Sequence, residues 1–138
     1  MRWLLSLSLF LLVSCRGGAV SYAFDEAAPL ANPGQVEAGE VVFVQREQGH
    51  CVLCHQVAAL DAPFQGNIGP DLSTVGTRLS PAQIRFRIVD ASRLNPVTTM
   101  PAYYRVENLN RVAEQYQGTT VLTAQQVEHL VAYLAQLK

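Results

Sequence analysis

Apolar positions fall into separate blocks along the chain, divided by polar stretches rich in proline and glycine. The first block, Trp3 to Val13, is an unbroken run of apolar or small residues behind Met1-Arg2. It is too short to cross a bilayer as a helix and has the form of the apolar core of an export signal. In the second block Val36, Gly39, Val42 and Phe43 recur at helical spacing and predict a helix over 35–45. Gly39 offers no side chain, so a second helix can approach there, and Gly39 with Phe43 marks a candidate crossing. The polar run Arg46 to Gly49 ends this helix. The third block opens at Ser80-Pro81, a capping hydroxyl followed by proline at the first helical position. Ile84, Ile88 and Ala91 line one face, and Leu94-Asn95-Pro96 closes the segment because the residue before proline disfavours the helical region.

The last block is the clearest. Thr123 followed three residues later by Gln126 is a capping-box pattern. Val127, Leu130, Val131, Leu134 and Leu137 then make one apolar stripe, which with Tyr133 is the expected partner of Gly39 and Phe43. Between the blocks, residues 24–34 with Pro29, Pro33 and Gly34 read as an extended, solvated arm. Residues 56–67 read as a loop, and 103–118, interrupted by Asn108, Asn110 and Gly118, as an irregular segment with one short helix. The pattern is all-α.

At 138 residues and a formal net charge of -1, the chain suits one small domain and gives no charge-driven reason to bind nucleic acid. No repeat, low-complexity tract, phosphate-binding glycine loop or serine-type catalytic set is present. Ser21-Tyr22-Ala23 places small residues before a cut, so 1–23 is read as a signal peptide and 35–138 as the folded domain behind the arm. Leu12-Val13-Ser14-Cys15 resembles a bacterial lipobox and is the competing site, with a lipid anchor on Cys15. Either route exports the chain, which places it in the periplasm.

Cys51-Val52-Leu53-Cys54-His55 carries the chemistry. C-x-x-C-H is the attachment signature of a c-type haem. Two thiols one turn apart can add to the two vinyl groups on one edge of a flat macrocycle, and the next residue can present an imidazole to the iron. A redox dithiol does not require the trailing histidine, and a zinc site needs two further soft ligands. Outside this stretch only Cys15, His50 and His129 could be considered. Pro70, in Ile68-Gly69-Pro70-Asp71-Leu72, has a carbonyl that can accept from the other ring nitrogen of His55, although a plain turn proline is an equal reading. Met100 is the only methionine besides the initiator, sits on a loop between helical patterns and is followed by Pro101. Its thioether is the candidate sixth ligand. His50 is too close to the attachment site to reach the opposite face, and His129 beside Glu128 reads as a solvated helix residue.

Taken together, these stretches resemble class I cytochromes c. A narrower resemblance is to the SoxX family, the monohaem subunits of SoxAX sulfur-oxidation cytochromes. It is carried by Gly49 to His55, by Ile68 to Leu72 with Val75-Gly76-Thr77-Arg78, by Asn95 to Tyr103, and by Val121 to Leu134. The resemblance implies an all-α domain around one covalently bound haem c, with Cys51 and Cys54 as thioether anchors, His55 and Met100 as axial ligands and Pro70 supporting His55. It also implies a SoxA-like dihaem or monohaem partner, the SoxYZ carrier reached through the complex, and a soluble cytochrome c as electron acceptor. In that family the complex joins thiosulfate to a cysteine of SoxYZ, acting as an L-cysteine S-thiosulfotransferase. The sulfur chemistry is assigned to the SoxA haem and electron transfer, without catalysis, to SoxX. His50 departs from the small polar residue expected at its position. Two other readings stay open: a general periplasmic electron carrier or cytochrome subunit of another dehydrogenase, and a haem sensor or peroxidase with an exchangeable sixth ligand.

Overall fold

The computed structural model describes residues 28–138. The expected signal peptide, the lipobox with Cys15 and the first residues of the arm lie outside them. Helix α1 is Val36–Val44, α2 Val75–Arg78, α3 Pro81–Asp90 and α4 Ala124–Gln136. Single 3₁₀ turns occur at Cys51–Leu53, Ala91–Arg93 and Glu114–Tyr116, and there is no strand among the described residues.

The frame is α4, with the other helices packed on it. Its start is fixed locally. Thr123 Oγ1 accepts from the Gln126 amide at 3.2 Å, and the Gln126 side chain accepts from the Thr123 amide at 2.9 Å. Two backbone donors that a helix start leaves unpaired are thereby satisfied. Val127, Leu130, Val131 and Leu134 are buried along one face, and Leu137 at the C-terminal end is partly buried. Each fully buried side chain of this kind contributes about 1.5–3 kcal/mol relative to exposure.

Helix α1 crosses α4 at the predicted place. A Cβ added at Gly39 would lie 2.0 Å from the backbone oxygen of His129 and 2.6 Å from Tyr133 Cβ. No side chain can be inserted there without separating the helices. One turn on, the Phe43 and Tyr133 rings meet at 5.6 Å between centroids with a 53° tilt, within the range of favourable aromatic pairs. Helix α3 packs on another part of α4 through Ile84 and Ile88. Ser80 and Gln83 form a second capping box at its start, one the sequence reading did not count. Helix α2 was not predicted. Its single turn is too short to show a period, and it is held by the Gly76 amide donating to Leu137 O at 2.8 Å.

Glu128 gains a buried partner, and two expectations, for His129 and for the arm, change. Glu128 does not lie on a solvated face. It is 4 % exposed and takes a two-point contact from Arg85, itself 6 % exposed, at 2.7 and 2.8 Å. Burial pushes the Glu128 carboxyl up, but the Arg85 hydrogen bonds, the Leu30 amide and the Arg85 charge outweigh it and hold the pKa below its ordinary 4.5. His129 is not freely solvated either: its Nδ1 accepts from the amide of Gln35, the residue that starts α1, at 2.8 Å. The arm, as far as it is described, is bound to α4. Leu30 N donates to Glu128 at 3.0 Å and Gln125 donates to Asn32 O at 3.2 Å. The segment 103–118 holds only the turn Glu114–Tyr116.

Candidate functional site

The C-x-x-C-H stretch is wound into one tight turn. The amides of Cys54 and His55 both donate to Cys51 O, at 3.0 and 2.9 Å. Val52 points into the core at 6 % exposure and its carbonyl accepts from Gly66 N at 2.9 Å, which fastens the turn from within. Cys51 and Cys54 are not joined to each other. Burial, more than the neighbouring Cys54, pushes the Cys51 thiol up to about 12. A redox dithiol works through a lowered thiol pKa, so this environment is the opposite of what that reading needs. His50 enters the turn in the left-handed conformation, φ 46°, which places it on the approach to Cys51.

His55 is fixed by the loop that follows. Its Nδ1–H donates to Pro70 O at 2.8 Å, leaving Nε2 as the nitrogen with a free lone pair. The loop is tied at several points. Gly69 N donates to Cys54 O and Leu72 N to Gln56 O, each at 2.8 Å. Arg78 Nη2 donates to Asp71 O at 2.8 Å. The Asp71 carboxylate accepts from Ser73, whose side chain and amide hold it below the usual carboxylate range. Gly69 lies directly against the imidazole: a Cβ there would sit 2.3 Å from His55 Cε1. Any other residue would push the ring off the Pro70 carbonyl.

Met100 is half-buried on the loop after α3. A compact turn precedes it, with Thr98 N donating to Asn95 O at 3.0 Å and Met100 N to Thr98 Oγ1 at 3.2 Å. Three residues on, Tyr103 OH donates to Gly49 O at 3.0 Å, linking this loop to the residue two before Cys51. The structure therefore joins the loops of Cys51, His55, Pro70 and Met100 by direct hydrogen bonds. It keeps His129 apart: His129 meets the N-terminal end of α1, whereas the attachment loop returns to its C-terminal end through Gly49 N and Val42 O.

The residues fit a porphyrin. Two unpaired thiols one turn apart, an imidazole with one nitrogen free, and a glycine that makes room beside it form a coherent donor set. Leu53 in the attachment turn, and Phe64, Ile68 and Val97 on other loops, are between 59 % and 89 % exposed, apolar side chains available to cover a flat macrocycle. Among the described residues, no three His, Cys, Asp or Glu side chains converge as a bare metal ion would require.

Residues 36–138 match the family model described as Cytochrome c. The chain belongs to the cytochrome c family. It is similar to a solved structure of SoxXA from P. pantotrophus, at 37 % identity over 80 % of this chain and 88 % of that chain, with a TM-score of 0.73. A solved structure of the c-type cytochrome SorU from Sinorhizobium meliloti matches at 22 % identity over 74 % of this chain and 88 % of that one, with a TM-score of 0.47. No curated protein matches. The chain is thus a SoxX-like class I cytochrome c, an electron-transfer protein that carries covalently bound haem c.

Sequence reasoning had named the stretches around the cytochrome's site but gave no role to Tyr103, Asp71 or Arg78. For Asp71 and Arg78 a local signal existed, a short polar loop running into a helix turn. Tyr103 gave none, because its partner lies 54 residues away.

Proposed function

We propose that this cytochrome is the SoxX-type subunit of a periplasmic SoxAX complex, moving electrons away from sulfur chemistry performed by its partner. The apolar stretch at Trp3 to Val13 supports export, to a soluble product beginning at Phe24 or to a lipoprotein anchored at Cys15. The observation that carries the reading is the pairing of a His55 ring fixed by Pro70 with a single methionine on a loop bonded to the attachment loop. Cys51 and Cys54 hold the group through thioethers. His55 Nε2 and Met100 Sδ would be the two protein donors to its iron. The bound haem supplies a one-electron centre. Ligation by methionine together with histidine would raise its potential, which suits an acceptor of electrons. With both donors supplied by the protein, no position on the metal would be left for a substrate, so bond-making is assigned to another subunit. The cytochrome is accordingly the non-catalytic part of an L-cysteine S-thiosulfotransferase. SoxXA, the assembly named in the similar structure, supports a SoxA-like cytochrome as the partner. SoxYZ and a soluble cytochrome c acceptor complete the proposed set.

Two measurements test this. Affinity purification from the native host is expected to bring down a SoxA-type cytochrome in stoichiometric amount; a stable complex without one removes the sulfur assignment and leaves a general electron carrier. Met100→Ala is expected to abolish the sulfur-to-iron charge-transfer band at the red end of the visible spectrum, lower the potential and allow carbon monoxide to bind the reduced protein rapidly. An unchanged band rejects Met100 as ligand. Rapid carbon monoxide binding by the unmodified protein supports a sensor or peroxidase instead.

A further inference from the structure

We propose that Tyr103 is a positioning residue for the methionine ligand, a strut whose hydroxyl sets how readily the Met100 loop swings away from the iron. The inference rests on Met100 being the axial ligand. It starts from the chain path. Met100 and Cys51 lie on loops that share no helix, so something must hold them in register.

Tyr103 does this at three points. Its amide donates to Ile88 O at 3.2 Å and its carbonyl accepts from Leu122 N at 3.0 Å, which fixes its backbone between the end of α3 and the approach to α4. Its hydroxyl then reaches across to Gly49 O at 3.0 Å. Gly49 is itself immobilised: its amide donates to Val42 O in α1 at 3.1 Å, and a Cβ added to it would lie 3.1 Å from Cys51 Sγ. The residue that accepts the tyrosine bond therefore packs beside Cys51, a thioether anchor. Burial, ahead of the nearby Cys51 and Cys54, pushes the Tyr103 hydroxyl well above the ordinary tyrosine range. The group thus stays protonated and able to donate.

On the Met100 side only Pro101 and Ala102 separate ligand from strut. The turn on the other side, Asn95 to Thr98, is anchored where Asn95 N donates to Ala91 O at 3.1 Å, and beyond that point its bonds run within itself and to Met100 N. Val97, in that turn, is 86 % exposed. Displacement of Met100 by an external ligand requires this loop to open, and Tyr103 is the side chain that resists it from one end.

The test compares the haem-loaded wild type with Tyr103→Phe, which keeps the ring and removes only the hydroxyl. The rate at which imidazole displaces the native ligand from the ferric protein is measured, together with the red charge-transfer band and thermal stability. Val131→Ala, a core truncation on α4, serves as the control for general destabilisation. Tyr103→Phe is expected to retain the band while imidazole binds about fivefold faster, the effect of losing one buried hydrogen bond. Val131→Ala is expected to lower thermal stability at least as much without that acceleration. A Tyr103→Phe rate within about twofold of wild type overturns the strut, since a lost hydrogen bond of ordinary strength would exceed that. An equal acceleration in Val131→Ala also overturns it. If the band survives in Met100→Ala, the ligand reading fails and the strut falls with it, a result that the other two variants cannot produce.

Discussion

With Cys51 and Cys54 both replaced by serine, the chain is expected to carry no covalently attached haem. On a denaturing gel stained for haem peroxidase activity the wild type gives a band and the double variant none. Serine matches the thiol in size but lacks the sulfur that adds to a vinyl group, so the two variants differ in bonding and hardly in shape. The consequence extends to folding. The turn Cys51–Leu53 buries Val52 but leaves Leu53 exposed, and other loops expose Phe64, Ile68 and Val97. A domain of this size buries a modest share of its surface and has a net stability of only about 5–15 kcal/mol. Losing a large apolar group from its middle is expected to leave α1 and α4 without cooperative melting in calorimetry. A haem-stained band retained by the double variant would show that the thioethers lie elsewhere.

Glu128→Ala is expected to be the most damaging substitution away from the haem site. It leaves Arg85 buried without its carboxylate and frees the Leu30 amide at the start of the described arm. Removing one member of a buried ion pair costs about 3–5 kcal/mol. In a domain of this size that lowers Tm by about 15–30 °C. Replacing both partners with apolar residues, as in Arg85→Met with Glu128→Leu, is expected to recover most of the loss, because no isolated charge then remains. The pH dependence has a definite sign. The Glu128 pKa is lower in the folded protein than its ordinary 4.5, so its contribution is fully present above that value. It is lost as the pH falls from there through the depressed folded value. The gap in Tm between wild type and Glu128→Ala should therefore be constant near neutrality and close below about pH 4.5. A gap that is small at pH 7, or that persists unchanged in acid, would show that the pair adds little.

Both expectations depend on features that differ in how they are encoded. The attachment turn is local. Cys51, Cys54 and His55 are held together by bonds spanning three or four residues, so their spacing already states their geometry. The capped start of α4, the cap of α3 and the apolar stripe of α4 are local in the same sense, and the Gly39 crossing could be inferred because a missing side chain on an otherwise apolar face has few other uses. Polar residues misled the reading. Glu128 and His129, adjacent on α4, look like the wet side of an amphipathic helix, yet the arm and α3 cover that side.

What the sequence by itself determined is the three longer helices α1, α3 and α4, the covalent chemistry at Cys51 and Cys54, and the candidate ligands His55 and Met100, because each depends on neighbours within a turn or two. Only the tertiary structure decided that Arg85 neutralises Glu128 across 43 residues, that His129 holds the start of α1 across 94, and that Tyr103 ties the methionine loop to Gly49 across 54. Such pairs leave no period in the chain. Each side chain finds its partner only after the packing of α1 and α3 on α4 has brought distant backbone together and removed the water that would otherwise satisfy it.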